Sequence, residues 1–86
     1  MPKVLYKPSF LRSLKKLPPE LITEAKEKIQ LFQEDPTHSF LKTHKLKGKL
    51  AGKFSFSVNY QYRIVFKYEK IDQVVLLGIG DHDIYK

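Results

Sequence analysis

The chain has 86 residues, with 16 Lys and Arg against nine Asp and Glu, a net charge of +7, and 42% hydrophobic side chains. That length predicts one domain, residues 1–86, with a thin core, and the absence of cysteine excludes disulfides and thiolate metal sites. No apolar run approaches the ~20 residues that span a bilayer, and Met1-Pro2-Lys3 opens no signal-peptide core, so a cytoplasmic protein without a membrane partner is expected.

Val4-Leu5-Tyr6, ended by Pro8, reads as a first strand. Ser9 is placed to cap a helix whose apolar face is Phe10, Leu11, Leu14 and Leu17, with Arg12, Lys15 and Lys16 on the other side. Pro18-Pro19 ends that helix, and proline is tolerated in the first turn of the next. The second helix is expected from Pro19 to Glu34, buried along Leu21, Ile22, Ala25, Ile29 and Phe32. Glu24 and Lys28 form an i,i+4 pair on its wet face, and the two helices make an αα-hairpin.

Residues 36–52 read as a polar, Lys-rich connection. Beyond it the period changes to strict alternation. Phe54, Phe56, Val58, Tyr60, Tyr62, Ile64, Phe66 and Tyr68 hold the even positions, which predicts two strands with one buried face. Parity also constrains the turn. A two-residue loop pairs residues three apart and mixes the faces, whereas a three-residue loop pairs residues four apart and keeps them separate. The turn therefore falls at Asn59-Tyr60-Gln61, Phe56 faces Ile64, Ser57 meets Arg63, and Arg63 points away from the helices. Val74 to Ile79 is continuously apolar, which predicts an inner strand covered on both faces. The fold class is α+β: a strand, an αα-hairpin, then a three-stranded antiparallel meander.

Charge is distributed unevenly. Pro36 to Tyr68 contains no acid, yet carries Lys42, Lys45, Lys47, Lys49, Lys53, Arg63 and Lys67 with His38 and His44. A one-signed stretch of this length favours a polyanionic partner over a merely solvated surface. Gly48 to Lys53 is no phosphate loop, because three residues rather than four separate the glycines and Phe54 stands where Ser or Thr is required. Asp81-His82-Asp83 offers adjacent side chains that rarely converge on one ion, so no metal site is expected.

His44-Lys45-Leu46-Lys47-Gly48-Lys49-Leu50-Ala51-Gly52 looks like a segment that leads into the second strand of the RelE/ParE toxin superfamily. Tyr62-Arg63-Ile64-Val65-Phe66 resembles that family's third strand. Ile79-Gly80-Asp81-His82-Asp83-Ile84-Tyr85 resembles the C-terminal signature of its YoeB and YafQ branches. The resemblance spans nearly the whole chain and implies a RelE-like β-α-α-β-β-β fold. It also implies an mRNA-cleaving endoribonuclease of a type II toxin–antitoxin system, acting at the ribosome and neutralised by a cognate acidic antitoxin, with no metal and no cofactor. By position it implies Arg63, His82, Tyr85 and His44 as catalytic residues, while Lys45, Lys47, Lys49, Lys53 and Lys67 are read as RNA-binding. Ser57 stands where relatives often carry Arg or His.

Histidine suits proton transfer because its unperturbed pKa, about 6.5, lies near working pH. Arginine presents a planar fork to phosphate and stays charged. Tyr85 could donate a proton or stack on a base. Duller roles exist for each residue: a solvated His82, a surface ion pair for Arg63, a loop position for His44, and a Tyr85 that only anchors the tail by packing. A ParE-like inhibitor of DNA gyrase, or a degenerate relative that only binds RNA or antitoxin, is the alternative function.

Overall fold

The computed structural model describes residues 2–81. Its elements are β1 (Lys3–Tyr6), α1 (Pro8–Lys15), α2 (Pro19–Glu34), β2 (His44–Lys45), β3 (Phe54–Ser57), β4 (Arg63–Lys70) and β5 (Gln73–Gly80), with single 3-10 turns at Ser39–Leu41 and Gly48–Leu50. They build one five-stranded sheet in the order β1-β5-β4-β3-β2. The first strand lies parallel to the last, Lys3 opposite Gln73 and Tyr6 opposite Leu76, and every other neighbouring pair is antiparallel. The α+β class and the three-stranded meander expected from the sequence are present as β3-β4-β5. The short β2 extends the sheet beyond it, inside the stretch read as a plain polar connection.

α1 starts two residues earlier than expected. Pro8 occupies its first turn and Lys7 precedes it, with no side-chain cap, so Ser9 lies within the helix. Proline suits that place because a first-turn N–H has no intrahelical acceptor in any case. α2 runs over the expected residues, and Leu21, Ala25, Ile29 and Phe32 are its buried stripe, with Ile22 partly covered. The Glu24–Lys28 pair does not form. Lys28 Nζ donates to the Val58 carbonyl at 2.9 Å, and Glu24 accepts from Asn59 Nδ2 at 3.5 Å. A solvated i,i+4 pair contributes only about 0.2–0.5 kcal/mol, so a carbonyl at the end of β3 is the better partner.

The core lies between the helices and one face of the sheet. Phe10 and Leu14 of α1, the α2 stripe, and Leu41 meet Phe56, Val58, Ile64, Phe66, Val74, Leu76 and Ile79. At its centre Phe32 stacks on Phe56 (ring centroids 4.7 Å apart, 12° between planes) and sets its ring edge-on to Phe66 (4.9 Å, 63°). β5 lies inside the sheet, but its unbroken apolar run has a cause other than cover on both faces. Pairing passes from Val65–Gly78 to Phe66–Leu76, leaving Leu77 as an extra residue. This bulge shifts the alternation, so Val74 and Leu76 before it and Ile79 after it all reach the core, while Val75 and Leu77 are only partly covered.

The β3–β4 turn follows the parity argument. Phe56 pairs with Ile64 and Ser57 with Arg63, and Val58 N–H donates to the Tyr62 carbonyl at 2.9 Å. Asn59 Oδ1 accepts from the N–H groups of Gln61 (2.9 Å) and Tyr62 (2.7 Å), which locks the turn. Asn59→Ala is expected to remove both bonds, lower stability by about 1–2 kcal/mol and drop the thermal midpoint by roughly 5–15 °C. An unchanged melting curve would show that the backbone alone holds this turn.

Candidate functional site

Arg63 opens β4. Ile64 beside it enters the core, so strand alternation turns Arg63 to the opposite face of the sheet. Its side chain lies back across β3 toward β2. Nε donates to Ser55 Oγ at 3.0 Å, Nη2 donates to the Lys42 carbonyl at 2.9 Å, and Nη2 stands 3.2 Å from His44 Nδ1. Ser55 is fully buried, and on the same face Ser57 and Val65 are nearly so. The outer face is therefore partly closed, not open as alternation alone implies. A serine at position 55 suits this arrangement, being short enough to let the guanidinium lie over it while accepting from Nε. Ser57 is occupied locally, donating to the Asn59 carbonyl at 2.6 Å.

His44 belongs to β2 and pairs with Ser55, which puts it on the Arg63 face. Lys42 joins the two. It adopts the left-handed conformation (φ 47°, ψ 44°), which costs a residue with a Cβ about 1–2 kcal/mol. The conformation aims its carbonyl at both functional groups: His44 Nδ1 lies 3.0 Å from this oxygen, and Arg63 holds it from the other side. A carbonyl has two lone pairs and can accept from both. When His44 carries its proton on Nδ1 and donates it to Lys42, Nε2 keeps a lone pair and can take a proton from a ligand. In the other tautomer Nδ1 accepts from Arg63, and Nε2–H becomes a donor.

On β5, the residues paired with Arg63 and Val65 are Gly80 and Gly78. Neither has a side chain, so this flank of the Arg63 face is unobstructed from β5. The guanidinium is thus anchored through Nε and Nη2 on the side of β2 and β3, and a planar fork of this kind suits a phosphate.

The structure brings Arg63 and His44 together. Lys45, Lys47 and Lys49 are exposed on β2 and the segment after it, and Lys53 is partly covered just before β3. Lys67 shares the Arg63 face but forms an ion pair with Glu69 at 3.2 Å, so its charge is partly neutralised. His82 and Tyr85 lie outside the described residues. Ser55 and the Lys42 carbonyl escaped the sequence reading. Serine among alternating residues carries no special mark, and lysine does not signal a left-handed turn as glycine or asparagine does. No helix among the described residues is long and apolar enough to cross a membrane.

No protein-family model and no curated protein sequence matches the chain. Solved structures do. YafQ from Escherichia coli strain BL21(DE3) superposes with a TM-score of 0.79 at 15% identity, over 98% of this chain and 97% of its own. The toxin–antitoxin complex RelBE2 from Mycobacterium tuberculosis matches with a TM-score of 0.77 at 25% identity, over 95% of this chain and 100% of its own. The YoeB–YefM complex from Staphylococcus aureus matches with a TM-score of 0.73 at 16% identity, over 95% and 98%. The architecture that carries Arg63 and His44 is thus the fold of the RelE/YoeB/YafQ-like toxin superfamily.

Proposed function

We propose that this chain is the toxin of a type II toxin–antitoxin pair, an endoribonuclease that cleaves mRNA at the ribosome in the cytoplasm. The observation that carries the reading is the Arg63 guanidinium, anchored on Ser55 and Lys42 beside His44 on a face rimmed by lysines. Cleavage is attack of an RNA 2′-OH on the adjacent phosphate, which forms a 2′,3′-cyclic phosphate and expels the 5′-oxygen. His44, with Nδ1–H donated to Lys42, takes the 2′-OH proton at Nε2. Arg63 binds the phosphate oxygens and offsets the negative charge that grows on them. His82, two positions beyond Gly80 in the chain, and Tyr85 are assigned to protonation of the 5′-oxygen on the strength of the family signature. Lys45, Lys47, Lys49 and Lys53 attract the RNA backbone.

A cognate acidic antitoxin is the second partner. Its charge complements the +7 of this chain. Its apolar grip is assigned to the groove between α1 and α2 beside β1, a cavity of about 640 Å³ bordered by Tyr6, Leu11, Leu14 and Ile29. Incubating the purified chain with a defined mRNA, with and without ribosomes, tests the reading. Expected are discrete cuts ending in 2′,3′-cyclic phosphates, and growth arrest when the chain is expressed alone. Arrest without RNA cleavage would favour gyrase inhibition instead, and the absence of both effects would overturn the toxin reading.

A further inference from the structure

Phe40 and Tyr60 are large aromatic side chains left 69% and 93% exposed. Single exposed apolar residues are ordinary. These two, however, border one cavity of about 260 Å³, together with Lys28, Lys42 and Ser57. The cavity adjoins the Arg63 site through two shared residues: Lys42, whose carbonyl holds Arg63, and Ser57, which pairs with Arg63 across β3 and β4. Among the described residues that border it there is no carboxylate.

Both rings stand on locked backbone. The Phe40 N–H donates to His38 Nδ1 at 3.1 Å, and the imidazole meets the Phe40 ring edge-on, centroids 4.7 Å apart. Tyr60 is at the tip of the turn fixed by Asn59. Lys28 Nζ is held at the cavity by the Val58 carbonyl. Exposed rings on fixed turns, flanked by ammonium groups and next to the Arg63 guanidinium, match what an unstacked nucleotide needs. Aromatic faces stack on its base while cations hold its phosphates.

We propose that Phe40 and Tyr60 form a stacking platform for a base of single-stranded RNA, seated beside the phosphate that Arg63 binds. The proposal rests on the ribonuclease reading and adds a subsite to it. Two turns distant in sequence, Ser39–Leu41 and Asn59–Gln61, together supply the platform. Base stacking tolerates sequence, so the subsite contributes affinity for unpaired RNA and little preference between bases.

The test uses the full chain and a single-stranded 2′-O-methyl RNA oligonucleotide, which binds but lacks the attacking hydroxyl, alongside an abasic oligonucleotide of the same length. Fluorescence anisotropy is measured over a salt series for the wild type, Phe40→Ala and Tyr60→Ala. Each variant is expected to weaken binding of the base-bearing strand between about 5-fold and about 150-fold. The salt slope, which counts phosphate contacts, stays as in the wild type. Binding of the abasic strand is unchanged, and Phe40→Tyr and Tyr60→Phe retain wild-type affinity. Equal losses on both strands, or no loss on either, overturn the platform while leaving RNA binding itself intact. Loss confined to a complex with the antitoxin also overturns it, assigning the rings to a protein partner. A wild type that binds neither strand overturns the ribonuclease reading as well.

Discussion

Arg63→Ala is expected to slow RNA cleavage by about 10²–10³-fold, the usual effect of removing one preorganised donor from a charge-stabilising site. The fold should survive, because Arg63 stands opposite the core and touches Ser55, Lys42 and His44 rather than the aromatic centre. Arg63→Lys is the sharper variant. Lysine keeps the charge but has no fork, so it cannot anchor on Ser55 and Lys42 and still offer a second edge to phosphate. Its activity should lie much nearer to alanine than to arginine. Single-turnover cleavage and thermal unfolding on the same samples separate a chemical loss from a structural one. Wild-type cleavage by Arg63→Ala would remove this residue from the mechanism.

The largest effect on stability is expected at Phe32. Its ring is fully buried and lies against both Phe56 and Phe66, so it joins α2 to β3 and β4. Phe32→Ala removes those contacts and leaves a cavity, a change that costs about 3–5 kcal/mol in a packed core. A domain of this size has a total stability of only about 4–13 kcal/mol. The midpoint should fall by at least about 12 °C, and the variant should be partly unfolded near body temperature. Phe32→Leu, which keeps more of the volume, should lose well under half as much. A small loss for alanine would mean that the helices are held to the sheet elsewhere.

Local rules were most informative where one pattern had a single consistent solution. Even-position aromatics on both sides of Asn59-Tyr60-Gln61 permit a three-residue turn and little else, and Ser57 does pair with Arg63. α2 was readable for a similar reason, since Pro19 and Asp35-Pro36 bracket a helical stripe. What escaped depends on partners remote in sequence. Lys28 was matched to Glu24 four residues away, but Val58, 30 residues away, takes its ammonium. The bulge at Leu77 exists only through its pairing with β4. β2 is two residues long, too short for any period, and follows from the turn at Lys42 and the strand beside it. The site shows the same division. Arg63 and His44 were each singled out, but their contact through Lys42 is a tertiary fact, 19 residues apart in the chain.

The order of the sheet bears on when the protein acquires its shape. β1 is made first, yet its sheet partner is β5, and residues 3–6 pair with residues 73–76. Until that last strand has been synthesised, β1 has no ladder to join and β4 lacks a neighbour on one side. Such long-range closure is entropically costly and slow compared with forming a helical hairpin. During synthesis α1 and α2 therefore precede every core strand that covers them, and the part of the core built by Val74, Leu76 and Ile79 closes only with β5. A nascent chain of this kind completes its core late, and the delay leaves the helical hairpin partly open to capture before the sheet can cover it.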